Sequence, residues 1–421
     1  MRSPLIDHVA VRFVRAIGFS VLLVVAAVGA LALGERIREA RTPPTGNALA
    51  GQKTSSPSPA PIGPAPVRSL IFPAGYVPGS ARVAPDGRSL VVPSSDWKRF
   101  AMFDVPLDDA PLVLRGSINP AGGEWLPDGS GYVFGEYLPT PAPRNADGAV
   151  STMKQQRFSV FERDGSVTAI GTGWMRSGAS PDSRWVPVID DCCPSTIRLL
   201  SRHGATSQAL VGFRPDAGST WIIGWDPGGR LLYSEAGRLF AADLAGAVAE
   251  IRAPFSAGST ERSYSYVGRS PDGTAVVLQV NGASSPQSFA ITRSGVVPIA
   301  PVFSDSWVGP HDILAMTKEK FLAVDTSTGA ERGLAIAKPP RDTFVGASSP
   351  YLLWREDVTG PLHVSDARTG ADRAVDVPWT STGAQRLDNG RFFLPSDATP
   401  AILDAAAWLS RTVPFPRGPT A

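Results

Sequence analysis

The side chains with the most chemical potential in this chain stand together at Asp190-Asp191-Cys192-Cys193-Pro194, which holds both of its cysteines. Adjacent thiols can close a vicinal disulfide that stiffens their loop. They can equally stay inert thiols whose pKa the neighbouring Asp190 and Asp191 raise, or take a redox or metal role. The residues leave all three readings open. The four histidines, His8, His203, His311 and His363, are scattered along the chain. There is no Gly-x-Ser-x-Gly elbow to seat a nucleophile beside one of them, and no His-Glu-x-x-His, Cys-x-x-Cys or Asp-x-Asp-x-Asp-Gly spacing to ligate a metal. On the residues alone no catalytic side chain, cofactor or metal is assigned, and an enzyme is the less favoured reading. Four tryptophans near loops, Trp97, Trp174, Trp221 and Trp379, are candidate binding anchors, because exposed aromatic rings dominate contact surfaces, and Asp190 and Asp191 join them as candidate binding residues.

The elements that would position these groups follow from composition. With 42 Gly and 40 Pro in 421 residues, roughly one residue in five breaks regular backbone, which excludes a helical bundle or a coiled coil. The chain is 43% hydrophobic and 19% charged, enough apolar material for a large core. A net charge of +2 gives no electrostatic footprint for nucleic acid, so none is expected as a partner.

A short motif recurs through residues 67–421. It reads Pro-Asp-Gly or a close variant and precedes a strand-like run, as at Pro85-Asp86-Gly87, Pro127-Asp128-Gly129, Ser180-Pro181-Asp182, Asp226-Pro227-Gly228 and Pro271-Asp272-Gly273. Weaker copies stand at Pro310, Pro350 and Asn389. The steps of about 40 to 54 residues are those of propeller blades with four short strands each. A second series of polar turns runs in step with the first, including Arg163-Asp164-Gly165, Arg202-His203-Gly204, Asp325 to Gly329 and Asp366 to Gly370. Pro presets φ, Asp bonds its own backbone and Gly accepts positive φ, so these aspartates are read as turn formers and not as catalysts. The fold class is therefore all-β, a β-propeller of about eight, alternatively seven, four-stranded blades.

The repeats resemble the WD40-like PD40 repeats of TolB-like β-propellers over roughly residues 80–416, and the Asp-x-x-Thr-Gly turns resemble those of quinoprotein dehydrogenase propellers. Asp216-x-Gly218-x-Thr220-Trp221 partly resembles the Asp-box of sialidase-type propellers, but once only and with Arg214 where Ser belongs. The resemblance implies the fold and not a Tol-system role, since the α/β domain of TolB has no counterpart here. In such a ring the Pro-Asp-Gly and Asp/Gly turns share one face. The other face carries the longer loops 138–156, 190–195, 212–220, 254–261 and 280–287, where binding is expected.

The N-terminal residues bear on location. Residues 16–34 are uncharged and mostly apolar, and at 1.5 Å per residue they span about the 30 Å of a bilayer's hydrocarbon core. Residues 1–15 read as a short cytoplasmic tail, 16–34 as one transmembrane helix and 35–66 as a Pro/Ser/Gly-rich linker that extends a domain away from the membrane. A cleaved signal peptide ending near Ala30-Leu31-Ala32 is the alternative, giving a secreted domain. The expectation is a propeller outside the cytoplasm that binds an envelope protein or a cell-wall ligand. The other readings are an envelope enzyme of lactonase, glycan-cleaving or quinoprotein type, and a sensory domain that reports through the membrane helix.

Overall fold

Strands in this chain are short, rich in β-branched, Leu and Phe residues, and fenced by turns whose residues leave the backbone little choice. In Ala84-Pro85-Asp86-Gly87 the Gly87 amide donates to the Ala84 carbonyl (2.8 Å), and the Asp86 carboxylate accepts from the Arg88 amide (3.0 Å). Gly87 sits at φ 71, where a side chain is strained, and the equivalent turn at Ser270-Pro271-Asp272-Gly273 repeats the geometry with Gly273 at φ 72. In the second series, Asp325 accepts from the amides of Ser327 (2.8 Å) and Thr328 (3.0 Å), while the Gly329 amide closes onto the Asp325 carbonyl (2.8 Å).

The computed structural model describes residues 67–106, 111–120, 122–139, 155–189, 196–204, 207–212, 220–254, 263–281, 287–302, 304–317, 319–336, 343–355, 360–375, 384–387, 390–396 and 400–410. The expected membrane helix 16–34, the linker 35–66, Trp379 and Asp190-Asp191-Cys192-Cys193 lie outside the described residues. Among the described residues no helix is long and apolar enough to cross a membrane.

The strands form eight antiparallel sheets, seven of them hydrogen-bonded in chain order, inner strand a to outer strand d, and the eighth completed by the first strand of the described residues. Blade 1 comprises Arg82–Val83, Ser89–Pro93, Phe100–Asp104 and Val113–Ile118, and blade 2 comprises Gly123–Trp125, Gly131–Tyr137, Gln156–Glu162 and Val167–Gly173. Blade 3 runs Met175–Arg176, Trp185–Ile189, Thr196–Ser201 and Ser207–Gly212, and blade 4 runs Thr220–Trp225, Leu231–Glu235, Arg238–Ala242 and Val248–Ile251. Blade 5 is Ser263–Arg269, Ala275–Asn281, Gln287–Thr292 and Gly295–Ile299. Blade 6 has the strands Asp312–Met316, Phe321–Asp325 and Glu331–Gly333, its strand a reduced to a single bridge between Trp307 and Ile313. Blade 7 is Thr343–Ser348, Tyr351–Arg355, Leu362–Asp366 and Asp372–Val375. Blade 8 takes Gln385–Leu387, Arg391–Leu394 and Ala401–Asp404 from the C-terminal part of the repeats and Val67–Ser69 as its outer strand, with Val67 paired to Leu403. The ring is thus eight-bladed and closed by exchange of one strand. This settles the blade number, with one blade that keeps only three full strands.

The core lies between blades. Alternate residues of strand c in blade 5 point to opposite neighbours: Phe289 and Ile291 pack with Leu232 and Leu239 of blade 4, while Ala290 packs with Trp307 and Ile313 of blade 6. Strands b and c are therefore buried on both sides, which is why they read as continuous apolar runs instead of alternating ones. A short helix, Ala405–Leu409, follows the last strand, with the Asp404 carboxylate accepting from the Ala407 amide (2.9 Å) and Trp408 buried against blade 7.

Candidate functional site

Strands b and c of blade 1 are joined at Ser94–Arg99. The Ser94 amide donates to the Arg99 carbonyl (2.8 Å), the Trp97 amide to the Ser94 carbonyl (2.9 Å), and Ser94 Oγ to the Asp96 carboxylate (2.6 Å). The Ser94 hydroxyl, and then the Lys98 amide, hold the Asp96 carboxyl below its usual range. This turn forces Trp97 to φ 59, a left-handed backbone that glycine, asparagine or aspartate adopts with less strain. The indole is nevertheless 58% exposed. The segment from blade 8 to blade 1 braces the turn, since Ser95 donates to the Gly75 carbonyl (2.9 Å) and Tyr76 bridges Ser94. That segment also exposes Ile71.

Between blades 1 and 2 lies a groove of about 450 Å³ lined by Arg99, Ser117, Ile118, Asn119, Phe134 and Glu136. Tyr137, 58% exposed, ends strand b of blade 2 on the same face. Trp221 is 47% exposed near the start of strand a in blade 4, on the far side of the ring. Trp174 lies between blades 2 and 3, half-buried, its amide donating to the Ile189 carbonyl (2.8 Å). Three of the four tryptophans named from the sequence are thus placed on or near the loop-rich face, but they do not converge. Tyr137 and Ile71 escaped the sequence reading; the only signal was an apolar residue beside a long loop.

The opposite face is a ring of inter-blade clasps. Arg163, in the c–d turn of blade 2, reaches back to Asp86 of blade 1 (2.5 Å) and to Ser89 Oγ (3.0 Å). Arg202, in the same turn of blade 3, binds Glu162 (2.6 Å), Ser130 Oγ (2.6 Å) and Asp128 (3.3 Å) of blade 2. His311 Nδ1 stands 2.6 Å from Asp272 of the blade before it. Partial burial pushes the Asp272 carboxyl up, but the hydrogen bonds from Ser270, Thr274 and His311 outweigh it and bring it down to about 2. The turn aspartates act structurally, holding both their own turns and the next blade.

The central channel holds the remaining polar groups. Asp305 accepts from the Trp307 indole N–H (2.6 Å) and lies 3.7 Å from Arg386. Its side chain is 44% exposed. Desolvation by the surrounding inner strands raises its carboxyl above the ordinary range, against the pull of Arg386 and the Trp307 hydrogen bond. Burial and the Asp305 charge push the neighbouring Tyr266 phenol up to about 12. Asp305 packs so closely on Gly268 that a Cβ there would meet Oδ1 at 1.9 Å. Further round the inner strands, Glu124 pairs with Arg176 (2.5 Å). No three His, Cys, Asp or Glu side chains gather in a metal-binding arrangement among the described residues.

These features define an eight-bladed β-propeller. No protein-family profile matches the chain, and no curated protein does. Among solved structures the chain is similar to the dipeptidyl peptidase 4 of Porphyromonas gingivalis, with a TM-score of 0.51 and 9% identity over 74% of this chain. It spans 55% of that peptidase's length. It is also similar to the β-propeller domain of the Trilobed protease from Pyrococcus furiosus (TM-score 0.41, 12% identity, 70% of this chain and 96% of that one). A third similar structure is TolB from Acinetobacter baumannii (TM-score 0.35, 11% identity, 61% of each chain). At such identities the likeness concerns the fold alone.

Proposed function

We propose that this protein is a membrane-anchored propeller outside the cytoplasm that binds an envelope protein or a cell-wall ligand through its loop-rich face. The observation that carries the reading is Trp97. A large apolar ring held out at φ 59 and 58% exposed costs the fold about 1 kcal/mol and returns little packing. Its use is contact with a partner, and the exposed Tyr137 and Ile71 extend the same sector. The apolar run 16–34 and the Pro-rich linker supply the anchor and the reach. A binding role is preferred to catalysis because Asp305 and Glu124 each stand beside an arginine, the arrangement of ion pairs and not of two carboxylates sharing acid–base work.

The test is photo-crosslinking in cells from a photoreactive residue placed at Lys98, beside Trp97, and in parallel at Arg88 on the turn face. A discrete adduct from position 98 and none from position 88 is expected. Equal labelling from both positions, or an adduct from position 88 alone, would remove the assignment of the binding face.

A further inference from the structure

A cavity of about 620 Å³ occupies the end of the channel where the a–b turns of the blades converge. This is the size of pocket that takes a small organic molecule or a chain terminus. Two guanidinium groups line it, Arg269 at the end of strand a in blade 5 and Arg386 in strand a of blade 8. Neither has a hydrogen-bonded acid. Arg269 gives Nη2 to the Gly273 carbonyl (3.1 Å), and its Nη1 is buried without a partner among the described residues. Arg386 forms an ion pair with Asp305 at 3.7 Å, beyond hydrogen-bond length, so its N–H groups have no hydrogen-bonded acceptor among the described residues. The other carboxylate in the wall, Asp272, already accepts from Ser270 (2.7 Å) and Thr274 and stands 2.6 Å from His311. The cavity therefore has spare donors in planar forks. The rest of the wall sets proline and aromatic rings, Pro85, Pro127, Pro181, Pro271, Trp225 and Tyr266, beside the hydroxyls of Ser270, Ser348 and Ser349.

We propose that this channel mouth binds a carboxylate carried on an apolar body, with Arg269 and Arg386 holding the carboxylate and the proline and aromatic rings covering the body. A guanidinium fork matches the two oxygens of a carboxylate. Asp305 and Asp272 share the wall, and their field disfavours the second negative charge that a phosphate would bring. The ligand is thus a monoanion, supplied either by the C-terminus of a peptide or by a free aromatic acid. The site lies on the turn face and stands independently of the loop-rich face.

The experiment is calorimetric titration of the full chain with N-acetylphenylalanine, benzoate, N-acetylphenylalaninamide and inorganic phosphate, repeated on Arg269→Gln and Arg386→Gln. Saturable binding of a carboxylate is expected, with no binding of the amide or of phosphate and a loss of about tenfold in affinity in each variant. Tighter binding of N-acetylphenylalanine than of benzoate identifies a peptide terminus, and the reverse order a free acid. Among the described residues Arg269 hydrogen-bonds only within its own turn, so that variant is expected to melt close to the wild type, and Arg269→Lys keeps the charge while losing the fork. Absence of saturable carboxylate binding by the wild type, equal binding of the amide, or unchanged affinity in both glutamine variants overturns the proposal.

Discussion

Replacing Arg202 with methionine keeps the volume of the side chain and removes one clasp between blades 2 and 3. Arg202 is 16% exposed; its partner Glu162 is 20% exposed and Asp128 is 45% exposed. The Asp128 leg, at 3.3 Å and open to water, adds little. The Glu162 leg, at 2.6 Å, is largely desolvated, and losing the guanidinium leaves a carboxylate with little water and no cation. The Ser130 hydroxyl loses a charged donor as well. Together these are worth about 2 kcal/mol, a factor of about 30 in the unfolding equilibrium. Denaturant unfolding followed by tryptophan fluorescence measures it, and a double-mutant cycle with Glu162→Gln isolates the pair. The double variant is expected to recover about 1 kcal/mol relative to additivity, because the stranded charge is gone. A single variant within about 0.5 kcal/mol of wild type, or strict additivity, would refute the view that the clasp couples neighbouring blades.

Asp272 gives a pH signature. Its folded pKa, near 2, lies below that of the unfolded chain, so the stability it contributes is complete above about pH 4 and is lost as pH falls through about 2. After screening at the surface the difference is about 1 kcal/mol; acid unfolding of Asp272→Asn checks it, since that variant loses this pH dependence. Gly165→Ala is expected to destabilise by about 2 kcal/mol or more, because Gly165 has φ 90 and a Cβ would meet the Arg115 carbonyl oxygen at 2.4 Å. Thermal melting reads that loss, and an unchanged midpoint would contradict the close approach of blades 1 and 2.

The blade series was legible because Pro85-Asp86-Gly87 and its copies are demanded by local backbone geometry, which a sequence displays directly. Blade 6 shows the limit: Gly309-Pro310-His311-Asp312 preserves the turn, but the inner strand before it shrinks to the Trp307–Ile313 bridge. Closure by Val67–Ser69 left no local trace, because its register is set by pairing with Ala401–Asp404 at the other end of the chain. The clasps were half legible. Arg163 and Arg202 are visible in their turns, but their partners Asp86 and Glu162 lie in preceding blades. Trp97 could be named as a loop tryptophan, whereas its φ depends on the Ser94–Asp96 hydrogen bonds. The channel pair Asp305 and Arg386 was invisible, since only ring closure brings blades 6 and 8 to one cavity.

Under the proposed function Trp97 serves contact and not folding, and a single substitution separates the two. Trp97→Gly relieves the left-handed strain, so unfolding free energy is expected to stay level or rise by about 1 kcal/mol, offset in part by the added freedom of glycine in the unfolded chain. In the same cells the adduct formed from a photoreactive residue at position 98 is expected to disappear. A variant that loses more than about 1 kcal/mol while keeping the adduct would show that the ring is a structural part of the blade 1 turn that the segment from blade 8 braces, and would contradict the contact role.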